Sequence, residues 1–100
     1  MLPQDLTIEV LADTLKNGNT RERRNAATNI GLFGQMAKDA VAVLIEAMKD
    51  ENLFVRREAV SALGKIGAAA QSAVPALKNA LEEPIVRSRA DEALKKITGE

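Results

Sequence analysis

Cysteine, histidine, tryptophan and tyrosine are all missing from this chain. Without cysteine there is no disulfide framework, no thiolate nucleophile and no zinc cluster. Without histidine the commonest general acid–base group at neutral pH is gone, together with the imidazole that many metal sites use. The aromatic inventory is Phe33 and Phe54 alone, so a core has to be built chiefly from Leu, Ile, Val and Ala. That composition suits thin, closely spaced helices better than a sandwich or barrel. Net charge is lacking too, with 14 basic residues against 14 acidic ones. A dedicated nucleic-acid binder shows a basic excess on one face and often a platform of stacking aromatics, so no nucleic-acid partner is expected. No apolar run approaches the roughly 18 residues of a membrane span. The start, Met1-Leu-Pro-Gln-Asp5, has no basic stretch before an apolar one, so no signal peptide and a soluble, cytoplasmic protein are expected.

What the chain does contain is one helical pattern used three times. Val55, Ala59, Ala62, Leu63 and Ile66 fall on a single helix face. The pattern returns as Val86, Ala90, Ala93, Leu94 and Ile97, and a worn copy precedes it as Glu22, Ala26, Asn29, Ile30 and Phe33. The punctuation repeats with it. Asn19 and Asn52, 33 residues apart, are expected to cap these helices, and Gly34 and Gly67 to end them. A partner helix precedes each one. The first spans residues 5–16, started by Pro3 and Asp5 and ended by a left-handed Gly18, with Ile8, Leu11, Ala12 and Leu15 inward. The second spans 40–49 behind an Asp39 cap, with Val41, Leu44, Ile45 and Met48 inward. The third starts at a Ser72 cap, carries Pro75 in its first turn, and turns Val74, Leu77 and Leu81 inward. The connection from Leu81 to Val86 is two residues shorter than that from Met48 to Val55, so Pro84 begins the last helix at once. Lys95 and Thr98 then stand where Gly64 and Gly67 stood. One domain over residues 1–100 is expected, all-α, with repeats at about 5–38, 39–71 and 72–98.

Asp50-x4-Val55-Arg56-x2-Ala59-x2-Ala62-Leu63-Gly64-x-Ile66-Gly67, followed by Ala73-Val74-Pro75-Ala76-Leu77, resembles the short HEAT-like repeats first noted in phycobilisome lyase subunits. The resemblance covers roughly residues 7–97. It implies an α-solenoid of three antiparallel helix pairs whose second helices line a concave face. It also implies a scaffold, adaptor or accessory rather than a free-standing enzyme, because such thin repeats offer a shallow groove. The positions left over from the core on those helices are the expected partner-binding surface. They are Arg24, Asn25, Thr28 and Leu32 in the first copy, and Arg57, Glu58, Ser61 and Lys65 in the second. The third copy offers Ser88, Arg89, Glu92 and Lys96. They differ between copies while the core does not, and Leu32 is the least expected of them on a polar surface. The expected partner is another protein. The alternative is an accessory subunit of a phycobilin lyase. No catalytic residue, cofactor or metal is expected.

Other recurrent residues have structural explanations. Arg23, Arg56 and Arg87 occur once per repeat and are read as a ladder pairing with acids such as Asp50 or with carbonyls of a neighbouring repeat. Gly31-x-x-Gly34 and Gly64-x-x-Gly67 follow helices, not strands, so they serve close packing and capping rather than phosphate binding. Met36 and Met48 are expected to pack. Glu22 and Asn29 on the inner face of the first copy mean either a frayed end repeat or a face that meets water or a partner. Leu6 and Val10 make the first helix apolar for an end helix, so weak self-association through it is expected.

Overall fold

The computed structural model describes residues 7–100, and among them there are six α-helices and no strand. They are α1 (Ile8–Asn17), α2 (Thr20–Leu32), α3 (Val41–Ala47), α4 (Leu53–Ile66), α5 (Val74–Ala80) and α6 (Pro84–Thr98). Each odd helix packs on the even one after it, and α2, α4 and α6 stack in that order as a continuous layer. The result is a slab of 37 × 26 × 16 Å.

The caps of the even helices follow the asparagines. Asn19 accepts from the Glu22 N–H at 2.9 Å, while the Glu22 carboxylate accepts from the Asn19 N–H at 2.8 Å, a reciprocal box. Glu22 is therefore exposed and occupied in capping, which explains a charge in the slot that holds Val55 and Val86 elsewhere. Asn52 accepts from the N–H groups of Phe54 and Val55. Gly34 and Gly67 take positive φ of 58° and 75° and turn the chain out of α2 and α4.

The starts of α3 and α5 differ from expectation. Asp39 and Ser72 are exposed and cap nothing; Ala40 and Ala73 precede the helices, with no side-chain cap. Two 3-10 helices, Gly34–Ala40 and Gly67–Ala73, run straight into α3 and α5. The Val41 N–H already donates to Lys38 and the Val74 N–H to Gln71, so those amides need no cap. Gly18 is likewise not left-handed: its backbone is extended (φ −77°, ψ 173°). A Cβ there would stand 2.8 Å from both the Thr14 carbonyl oxygen and the Glu22 Cβ, so crowding selects glycine. The first helix starts at Ile8 with Thr7 accepting from the Val10 N–H at 3.2 Å; Pro3, Asp5 and Leu6 lie outside the described residues.

The core is aliphatic, as the composition requires. Val55, Ala59, Ala62, Leu63 and Ile66 of α4 are buried, as are Val86, Ala90, Ala93 and Ile97 of α6 and Ala26 and Ile30 of α2. Leu11, Leu15, Val41, Leu44, Met48 and Leu77 meet them from the odd helices. The two phenylalanines do not anchor this core: Phe33 is partly buried and Phe54 is exposed. Met36 does not pack either, being 75% exposed.

Candidate partner-binding face

Stacking the even helices in register turns equivalent positions into rows that cross the slab. Close stacking is possible because Gly31 faces α4 and Gly64 faces α6. A Cβ on Gly31 would stand 3.1 Å from Ala62 Cα, and one on Gly64 would stand 3.0 Å from Ala93 Cα. The same gaps admit lysine stems from the next helix. Lys65 Cδ lies 3.3 Å from the Gly31 Cβ position and Lys96 Cδ lies 3.6 Å from that of Gly64. Each stem is laid over the backbone of its neighbour, and the ammonium emerges beyond it.

Between α4 and α6 these rows enclose an open groove of about 490 Å³. Of the expected site residues, Glu58, Ser61, Lys65, Ser88, Arg89, Glu92 and Lys96 line it. A polar network runs from α2 into the groove. Thr28 donates to Glu58 Oε1 at 3.0 Å, and Arg89 Nη1 donates to Ser61 Oγ at 2.7 Å and to Glu58 Oε2 at 3.4 Å. One side chain from α2, two from α4 and one from α6 thus form a single network.

Arg24 and Arg57 lie apart from this groove and share a different partner. Their guanidinium carbons sit 5.5 and 5.8 Å from the centre of the Phe54 ring, a double cation–π contact at the start of α4. Asn25 is exposed on α2, and Leu32 is 70% exposed at its end; neither lines the groove. Phe54 is the residue that sequence reasoning missed. Its equivalents one repeat away are Arg21 and Ile85, neither belonging to the recurrent core set, and that mismatch was the available signal.

The family model described as HEAT repeats matches residues 8–95. The chain belongs to the HEAT-repeat family. No curated protein matches it. HEAT repeats generally mediate protein–protein interaction.

Within this HEAT stack Arg23 alone of the recurrent arginines hydrogen-bonds to the next repeat among the described residues, at Asp50. The carbonyls they reach belong to their own repeats rather than to a neighbouring one as expected, because each arginine folds back on the turn five or six residues before it. Arg23 donates to Asp50 through Nε and Nη2 and to the Gly18 carbonyl through Nη1. Arg56 Nη1 donates to the carbonyls of Asp50 and Glu51, and Arg87 Nε to that of Leu81. Burial pushes the Asp50 carboxyl up, but the Arg23 hydrogen bond, the Asn52 N–H and the charges of Arg23 and Arg56 together hold it below the usual carboxylate range. The bond to Asp50 raises Arg23 in turn against partial burial. Arg56 is served less well. Its Nε is buried without a hydrogen-bond partner, and Glu83, the acid equivalent to Asp50, stands 3.7 Å away and half exposed. Among the described residues no group of three His, Cys, Asp or Glu side chains comes together to hold a metal ion, and no helix is long and apolar enough to cross a membrane.

Proposed function

We propose that this HEAT-repeat chain is a non-catalytic interaction module, or small scaffold, that holds a partner protein on the concave face of α2, α4 and α6, and that it works in the cytoplasm. The groove between α4 and α6 carries this reading. Its floor rests on Gly64 and Ala93, while its walls carry Glu58 and Ser61 opposite Arg89 and Glu92, side chains that differ from one repeat to the next, beside the recurrent Lys65 and Lys96. An open, polar trough of this kind suits a macromolecular segment better than a small substrate, which needs a mostly enclosed apolar pocket.

The test is affinity capture from a lysate of the source organism with wild-type bait and with Arg57→Glu plus Lys65→Glu, both shown to be folded by circular dichroism. A partner held by the first and lost by the second supports the reading. A partner retained equally by both overturns the placement on this face. The alternative, an accessory role beside a phycobilin lyase, is supported by the resemblance of Asp50–Gly67 to short HEAT-like repeats alone. An unshifted visible band on adding a linear tetrapyrrole counts against it. Weak self-association through the first helix has one exposed apolar residue, Val10, in its favour. Light scattering that shows a monomer over a hundredfold concentration range removes it.

A further inference from the structure

The chain is neutral overall, but its charge is not evenly spread. The twelve expected site positions carry five cations (Arg24, Arg57, Lys65, Arg89 and Lys96) and two carboxylates, Glu58 and Glu92. The rest of the chain holds nine basic and twelve acidic residues. One face is therefore at +3 and the remainder at −3. Glu58 is already engaged by Arg89 and Thr28. Among the described residues Arg24, Arg57, Lys65 and Lys96 form no ion pair, although acidic side chains are abundant elsewhere on the surface.

These four cations form two stations. Arg24 and Arg57 lie against the Phe54 ring, and their N–H groups are free to donate to a carboxylate. Lys65 and Lys96 are held by their stems across Gly31 and Gly64. In both stations the side chain is partly ordered before anything binds, which lowers the entropy lost on binding. Arg57 and Lys65 belong to one helix, eight residues apart, so the stations are about 12 Å apart along its axis.

We propose that the occupant of this face is an acidic peptide segment of the partner protein, held through glutamate or aspartate side chains at both stations; this rests on the interaction-module reading above. An extended segment advances about 3.3 Å per residue, so carboxylates about four residues apart reach both stations together. The Ser61 and Ser88 hydroxyls and the Glu92 carboxylate between them suit main-chain amides and carbonyls. A nucleic-acid backbone is a poorer fit. It would lay evenly spaced phosphates over Glu58 and Glu92 and find no stacking platform of Tyr or Trp.

Fluorescence anisotropy on the full chain tests this with a fluorescein-labelled peptide carrying two glutamate pairs about four residues apart, its glutamine counterpart, and a labelled DNA duplex. Lys65→Glu with Lys96→Glu is compared with Lys38→Glu with Lys78→Glu, which makes the same charge change on exposed residues off this face. The glutamate peptide is expected to saturate the protein at low salt and to weaken as salt rises. The glutamine peptide and the Lys65/Lys96 variant are each expected to bind about tenfold more weakly, while the Lys38/Lys78 variant stays within about twofold. The proposal is overturned by no saturation with the glutamate peptide, by equal binding of the glutamine peptide, by equal loss in both variants, or by tighter binding of the duplex. Should it fall while capture remains sensitive to Arg57→Glu and Lys65→Glu, the module stands with a different occupant. Should capture be insensitive as well, the module reading falls with it.

Discussion

Arg23 grips Asp50 with two parallel hydrogen bonds, Nε to Oδ2 at 2.8 Å and Nη2 to Oδ1 at 3.1 Å. The pair spans 27 residues of chain, with side chains only 15% and 12% exposed. Asp50 also accepts from the Asn52 N–H at 2.9 Å, so it both receives an arginine from the preceding repeat and shapes the turn that launches α4. A fork held on both sides and shielded from water is the kind of ion pair that contributes to stability.

Asp50→Ala is therefore expected to cost about 2 kcal/mol at neutral pH, measured by urea unfolding. The sign of its pH dependence follows from a folded-state carboxyl held below the ordinary value. The contribution is present in full above about pH 4 and is lost as pH falls through the depressed folded-state value. Wild type and variant should converge in strong acid. A gap that is constant with pH would mean that the charge contributes nothing.

Glu83→Ala makes the contrast. Glu83 occupies the equivalent place in the shortened third connection, half exposed and 3.7 Å from Arg56. Its loss should move stability by less than about 0.5 kcal/mol. An effect as large as that of Asp50→Ala would show the two acids to be equivalent after all.

Gly31→Ala trades helix propensity against space. Alanine is worth about 1 kcal/mol more than glycine inside a helix. The new methyl would press on Ala62 at 3.1 Å from Cα and 3.2 Å from Cβ, and α4 is wedged between α2 and α6 and has little room to retreat. Overpacking of this kind costs about 1–3 kcal/mol, so a net loss of about 1 kcal/mol and a Tm lower by several degrees are expected. A raised Tm would show that the stack yields.

Asn52→Ala should remove about 1 kcal/mol, because two amides of α4 lose their acceptor. Ser72→Ala should be neutral within about 0.5 kcal/mol, since Ser72 is exposed and caps nothing. Comparable losses from both would restore Ser72 as a cap.

The even helices were legible because their burial pattern, asparagine caps and glycine stops recur together at positions such as Asn19 and Asn52. The odd helices were less so. A 3-10 segment leading into a helix satisfies the same amides that a cap would, and Asp39 and Ser72 look like caps whether or not they are used. Gly18 misled for a related reason, since a glycine after a helix signals a left-handed turn and a tight approach equally well. The rows of the groove follow from the period, so Glu58, Ser61, Arg89 and Glu92 could be named in advance. Their mutual bonds could not, because hydrogen bonding across helices depends on how closely the helices sit. Phe54 escaped because hydrophobicity pointed it inward, whereas two guanidinium groups stabilise it outside.

The lysines laid across glycines have a mechanical consequence. Lys65 is seated on α2 through Gly31, and Lys96 on α4 through Gly64, so the gap between their ammonium groups is set by how the helices nest rather than by side-chain rotation alone. A change in the spacing of α2, α4 and α6 would open or close that gap like the jaws of a caliper. A segment that spanned both jaws would resist such a change and stiffen the stack without touching its core.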